Sequence, residues 1–160
     1  MKYCQYLWGL SRHKWFVMLE CFRLGLYWIG ITHDISKLLP SELIPYVEHF
    51  YGSKIGIGRG RNETGYFKPT DTGDAAFDFA WLLHLKRNKH HWQYWCLPDN
   101  EGGLKILEMP SKYRKEMLAD WRGAGRAQGT PDTKKWYDAN GHKMSLGIET
   151  RRWIEAQINQ

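Results

Sequence analysis

Cysteine is scarce in this chain. Cys4, Cys21 and Cys96 are three in 160 residues, odd in number, far apart and without a CxxC pair. That excludes a disulfide frame and a zinc ribbon, and it reads as the reduced thiols of a cytoplasmic protein. Long apolar runs are missing too. The most apolar stretch, Trp15 to Ile31, is interrupted by Glu20 and Arg23, whereas a membrane-spanning helix needs roughly 20 largely uncharged residues. The stretch reads as a buried helix, and no membrane partner is expected. The first residues carry one early lysine and no small-residue cleavage site, which argues against a signal peptide. Proline (6) and glycine (16) neither dominate nor repeat, so collagen-like and low-complexity classes drop out. There is no loop ending in GK[ST] and no GxGxxG turn in a βαβ setting, so the common nucleotide-binding loops are absent.

Aromatic residues are plentiful. Nine Trp, nine Tyr and six Phe supply enough apolar area to offset chain entropy, so disorder is excluded. The length fits one domain, residues 1–160, with a real core. Lys+Arg 23 against Asp+Glu 17 leaves a formal charge of +6, with a pI of about 9.2. That balance points to an anionic partner: nucleic acid, a nucleotide or an acidic surface.

The apolar spacing predicts an all-α fold. A first helix runs through Trp15, Val17, Leu19 and Phe22. It is capped by Ser11 or is already helical from Tyr3, with a break at Gly25 or Gly30. A second spans Tyr27 to Lys37, ending before Pro40. A third, Glu42 to Tyr51, is capped by Ser41, with Pro45 early enough to be tolerated. Residues 52–73 form a basic, glycine-rich loop, read either as a flexible surface loop or as a lid over an anionic ligand. Asp74 to about Trp92 reads as a strong helix. A β-hairpin insertion (about 92–109) turns at Pro98–Gly103. Pro110-Ser111 opens a helix through Tyr113, Met117 and Trp121, stopped by Gly123 or Gly125. A short helix from Asp132 to Ala139, a turn at Asn140-Gly141 and a last helix from Ile148 to Ile158 complete the chain.

The histidines carry the chemistry. His13, His33-Asp34, His84, His90-His91 and Asp120 fall in the order H…HD…H…HH…D. His84 and His91 are seven residues apart, within about 20° of one helical face. Asn88 shares that face, and His90 is turned about 120° away if the helix is unbroken. Phe77 and Trp81 mark the face as inward. Asp120, three residues after Met117, lies on an apolar stripe, where a carboxylate needs a cation or strong hydrogen bonds. Imidazole and carboxylate together suit zinc, iron, manganese or nickel. His49, on a helix surface, and His142, in a turn, stand outside the pattern. Trp81, Trp92, Trp95 and Trp121 read as core more than as base-stacking platforms.

Two stretches carry a resemblance. His33-Asp34-Ile35-Ser36-Lys37-Leu38-Leu39-Pro40-Ser41-Glu42 follows HDxSKxxPxE, and Ala80 to Trp95 follows AWxxHxxxNxHHWQYW. With the tail from Glu116 to Gly129, they resemble a small bacteriophage and bacterial family within the HD-domain superfamily of metal-dependent phosphohydrolases. The resemblance covers roughly residues 8 to 155. It implies a compact helical HD-type bundle holding one or two divalent transition-metal ions (Mn, Fe, Ni or Zn), in phage or bacterial cytoplasm. Carried over by position, His13, His33, Asp34 and Asp120 are the core ligands, with Asp34 the bridge if two ions bind. His84 and one of His90 or His91 complete a second site, and the face argument favours His91.

The leading expectation is a metal-dependent phosphohydrolase acting on a nucleotide or related phosphoester, with Asp34 and Lys37 at the reaction centre. Lys37, Asn88, Arg122, Arg126 and Gln128 would bind substrate, since arginine forks fit phosphate and glycine lets backbone approach a ligand. Lys86 and Arg87 are weaker candidates. The rivals are an HD-type di-iron oxygenase and a non-enzymatic basic domain that binds nucleic acid or protein. No helix-turn-helix, RNP or zinc-finger pattern supports the last, so a small phosphorylated substrate is favoured over nucleic acid.

Overall fold

The computed structural model describes residues 1–52 and 72–159. Most of the basic glycine-rich stretch therefore lies outside the described residues. Seven α-helices are present among the described residues: α1 (Lys2–Arg23), α2 (Tyr27–Thr32), α3 (Pro40–Tyr51), α4 (Ala75–Arg87), α5 (Ser111–Gln128), α6 (Thr133–Asn140) and α7 (Ile148–Ile158). One antiparallel hairpin, β1 (Cys96–Pro98) and β2 (Leu104–Ile106), pairs Cys96 with Ile106 and Pro98 with Leu104. The fold is all-α with a small β-hairpin. No described helix is long and apolar enough to cross a membrane.

Helix α1 starts at Lys2, so Ser11 is an interior residue, not a cap. Its inward face carries Tyr6, Leu10, Val17 and Cys21. Tyr6 and Leu10 join Tyr46, Val47, Phe77 and Ala80 from α3 and α4, while Val17 and Cys21 meet Ala119 of α5. A third cluster, Met109, Met117, Leu118, Tyr137 and Ile154, ties α5 to α6 and α7, with Trp92, Trp95 and Trp121 packed against it. The Trp15–Ile31 stretch is buried on one side alone. Trp15, Trp28 and Ile31 are exposed, because a helix has one face to give to its neighbours.

Helix α5 runs through both glycines expected to stop it and ends at Gly129, whose φ of 78° is a left-handed cap. Gly123 is there for packing: a Cβ would sit 2.6 Å from the Val17 backbone nitrogen, so only glycine lets α1 come this close. A Cβ on Gly125 would meet the Thr130 carbonyl at 2.7 Å, where the chain folds back and Thr130 N–H donates to Gly125. Helix α3 begins at Pro40, a favoured first-turn residue. Pro45 thus sits two residues deeper than the sequence suggested.

Candidate metal centre

Two departures from regular helix build the site. The helix expected through Lys37 stops at Thr32 and resumes as a 3-10 turn, Ile35–Leu38. Between them Asp34 adopts φ 54°, ψ 26°, and among the described residues it alone is a non-glycine with positive φ. Successive helical side chains point about 100° apart; the left-handed residue lets His33 and Asp34 face one point. Aspartate tolerates this conformation better than most residues, and strain of this kind gathers at functional sites. Lys14 Nζ donates to the His33 carbonyl and holds the turn.

The second departure is the end of α4 at Arg87. Asn88 is extended there, at φ −116° and ψ 103°. Its amide donates to Ser36 Oγ at 2.8 Å and to the His84 carbonyl at 2.9 Å. The chain therefore turns at Asn88 and brings His90 inward. His90 is 1% exposed, and both members of the His90-His91 pair reach the site. The face argument that favoured His91 over His90 fails because it needed an unbroken helix. Asn88, expected to bind substrate, instead braces Ser36 and His84.

Seven residues converge in two groups that share Asp34. In the first, His13 Nε2 lies 3.5 Å from Asp34 Oδ2 and 3.3 Å from Asp120 Oδ1. His33 Nε2 lies 3.6 and 3.5 Å from the same oxygens. In the second, the other Asp34 oxygen, Oδ1, is 3.4 Å from His84 Nε2 and 3.5 Å from His90 Nε2, and His91 joins them. Two ligands each about 2.1 Å from one ion stand about 3.0–3.4 Å apart at octahedral or tetrahedral angles, so the spacing fits coordination. Six atoms of this cluster are buried without a hydrogen-bond partner: Nε2 of His13, His33, His84, His90 and His91, and Asp34 Oδ1. Buried polar atoms are nearly always satisfied, and six orphans facing one centre are the demand an ion meets.

The opposite ring edges are held by carboxylates. Glu116 Oε1 accepts from His33 Nδ1 at 3.0 Å and lies 3.2 Å from His90 Nδ1. Glu42 Oε2 accepts from His84 Nδ1 at 2.9 Å, and its other oxygen accepts from Arg87 Nη1 at 2.6 Å. Protonated Nδ1 leaves the Nε2 lone pair facing inward, the arrangement that orients metal-binding histidines. Glu116 thus supports His33 and His90, and Glu42 supports His84. Sequence reasoning assigned no role to Glu116 or Glu42. The signal for Glu116 was its position four residues before Asp120 on one helical face.

Charge shapes the cluster. Burial alone would lower His33, but the Asp34 carboxylate, with Asp120 and Glu116, lifts it to about 10, so an ion at this point would have to displace the proton on Nε2. Burial lowers His13 and His84, and burial with two neighbouring imidazoles holds His91 well below the ordinary range. Against their burial, the imidazoles and Lys37 keep Asp34 and Asp120 ionised far below the carboxylate range. Lys37 Nζ donates to Asp34 Oδ2 at 2.6 Å. Burial opposes its charge, yet Asp34 raises it. In the adjoining core the buried Tyr6 hydroxyl has no hydrogen-bond partner. The Tyr46 ring lies 6.2 Å from that of His84 and 6.0 Å from Lys37 Nζ.

Residues 3–160 match a family described as a family of unknown function (DUF5662). The chain belongs to this family. No curated protein and no solved structure matches it.

Several expected residues lie elsewhere. On α5, Arg122 is about 200° and Arg126 about 240° around the helix from Asp120. Both line a separate cavity beside Glu20, and Gln128 closes the last turn of α5. His49, expected at a helix surface, is fully buried. It stacks on Phe77 at 3.8 Å and its Nδ1 lies 3.1 Å from Asp74 Oδ2. Its neighbours are apolar rings, and it forms no group with other candidate ligands among the described residues. Arg87 supports Glu42, while His142 lies in the 3-10 turn Gly141–Lys143.

Proposed function

We propose that this chain is a metal-dependent phosphohydrolase of HD type, acting on a nucleotide or related phosphoester. The observation that carries the reading is the set of six orphaned donor atoms around Asp34. His13, His33, Asp34 and Asp120 would hold one divalent ion; Asp34, His84, His90 and His91 would hold another. Such ions supply Lewis-acid charge and make water a stronger nucleophile at neutral pH.

The chain's own residues do the positioning. Asp34 divides its two oxygens between the groups and fixes their separation. Glu116 and Glu42 keep three imidazoles in the tautomer that presents Nε2. Trp81 covers the rings of His84 and His91, at 5.6 and 5.2 Å, and excludes water from that side. Lys37 places a cation beside the bridging carboxylate, where it can hold a phosphoryl oxygen as charge builds in the transition state. That cation favours phosphoryl chemistry over the di-iron oxygenase that the same donors would serve. The orphaned donors oppose a packing role for the histidines.

The test is to purify the protein without added metal and measure bound metals. Nucleotides and phosphoesters are then assayed with manganese, iron, nickel and zinc, with oxygen uptake followed in parallel. One or two equivalents of metal and phosphate release are expected. No bound metal and no hydrolysis across the panel would refute the reading, and substrate-dependent oxygen uptake would move it to the oxygenase.

A further inference from the structure

Cations that the metal centre leaves unused gather elsewhere on α1, α5 and α6. Arg23 closes α1, Arg122 and Arg126 lie on α5, and Lys134 is in the first turn of α6. With Glu20 and Asp132 they line a cavity of about 570 Å³, within the range of small-molecule sites. None of its lining residues is a candidate metal ligand. We propose that this cavity is a second binding site, specific for a small phosphorylated organic molecule and separate from the metal centre.

Charge makes the first part of the case. Glu20 is 5% exposed, and its Oε1 accepts from Arg23 Nη1 at 2.5 Å and from Arg126 Nη1 at 2.7 Å. One carboxylate cannot neutralise two guanidiniums, and each guanidinium carries five N–H donors. Arg122 gives Nη2 to the Gln157 carbonyl at 3.0 Å, a contact that aims the group without cancelling its charge. Lys134 is the weakest member, since its ammonium pairs with Asp138 at 2.7 Å. With Lys134 matched to Asp138, three arginines in the cavity wall face the two carboxylates Glu20 and Asp132, an excess of positive charge that suits an anionic group.

Geometry makes the second part. The Arg126 guanidinium gives Nη1 to Glu20 and lies over the Phe16 ring, 4.7 Å away, so its remaining N–H groups point in a fixed direction. Pre-organised guanidinium forks suit the tetrahedral oxygens of phosphate. Thr133 also lines the wall. The first turn of α6 lies at this wall and is capped by Asp132, whose Oδ1 accepts from the Lys135 N–H at 2.9 Å. Pro131 and Ile158 supply an apolar side, and the volume exceeds a bare phosphate, which leaves room for an organic remainder.

The test uses the full chain, chelator-treated so that metal does not bind the probe. Inorganic phosphate and adenosine monophosphate are titrated by calorimetry and by phosphorus NMR. Saturable 1:1 binding is expected, tighter for the monophosphate. Arg122→Gln weakens it at least about tenfold, as the loss of a charged hydrogen bond requires, and leaves metal content unchanged. Glu20→Gln tightens it, because the anion in the wall is gone. If the arginines serve only to satisfy Glu20, that variant gains nothing, and the proposal falls. It also falls if neither probe saturates, or if a single-stranded oligonucleotide binds far more tightly than the monophosphate with a steep salt dependence. The inference does not rest on the metal reading: a metal-free, inactive protein that still binds phosphate at Arg122 would sink one and keep the other.

Discussion

Helices α1 and α5 carry charge on two faces, in two opposite states. On the face of His13, Glu116 and Asp120, the donor atoms are buried, locked from behind and unpartnered in front. On the face of Glu20, Arg23, Arg122 and Arg126, each group already has a hydrogen-bond partner, and the Arg23 and Arg126 side chains are 65% and 32% exposed. Buried orphan donors cost free energy until a partner arrives, so the first face is built for tight, geometry-selective binding. Satisfied, half-wet cations cost little when empty and exchange partners easily, so the second face suits a weaker and adjustable ligand. Perturbing the two faces should therefore give effects of different size.

The largest effect is expected at Asp34, the residue both donor groups share. Asp34→Ala should lose all bound metal and lower any phosphoester hydrolysis by about 10³-fold or more, the scale of several kcal/mol of transition-state stabilisation. Its circular dichroism should stay helical, since the change also removes a buried charge. An Asp34→Ala protein that keeps two equivalents of metal would erase the contrast between the faces. Chelation comes next. A ligand held at 1,000 times its dissociation constant stabilises by about 4 kcal/mol, which for this length is roughly 8–16 °C in Tm. Thermal melts with and without chelator should show that drop, and phosphate added to the chelated protein should restore only a few degrees.

Third are the carboxylates behind the rings. Loss of such a support costs about 10–100-fold in metal affinity. Glu116→Ala should lie at the upper end because it serves two imidazoles, and Glu42→Ala at the lower end because it serves one. Competition with a metal-sensitive dye measures both, and equal losses would mean the two groups share their supports. Tyr6→Phe sharpens the meaning of an orphan. Its hydroxyl is buried and unpartnered but its ring packs with the core rings of Tyr46 and Tyr51, outside the two donor groups, so removing it should leave metal content unchanged and raise stability by about 1 kcal/mol. Urea melts decide it.

Much of this was legible in the sequence, and the gaps share a cause. Apolar spacing placed α7 at Ile148–Ile158 and marked α6 and the hairpin to within a few residues. The ordered histidines and aspartates do converge. Spacing alone could not show that Asn88 abandons the helix to give its amide to Ser36, 52 residues away, and so it turned His90 outward. It could not foresee a left-handed Asp34, since only tertiary contacts hold that conformation. It took Gly123 for a stop because the neighbour it accommodates, Val17, is far off in sequence. Glu42 closes the HDxSKxxPxE stretch and Glu116 opens the resembling tail, yet nothing in either stretch assigns them a role. Their role exists only in the second contact each imidazole makes.

The smallest effect tests whether a buried histidine-aspartate pair is by itself a sign of metal. His49 and Asp74 repeat the pattern of the centre, with Nδ1 on a carboxylate and an unpartnered Nε2. Yet Phe77 and Phe50 surround the His49 ring, at 3.8 and 4.9 Å. Asp74 caps α4 by accepting from the Phe77 N–H. His49→Leu should therefore leave metal content untouched, and Asp74→Ala should cost about 1 kcal/mol as a lost helix cap. The pH dependence follows from the carboxyl. Burial would raise Asp74, but the Phe77 amide and His49 hold it below its usual value. A carboxylate depressed in the fold stabilises above its unfolded pKa, and that contribution is lost as pH falls through the folded value. The gap in urea midpoint between wild type and Asp74→Ala should thus be full at pH 7, persist to about pH 4 and close below it. A gap that instead widened in acid would assign the stabilisation to a protonated group and remove Asp74 as its source.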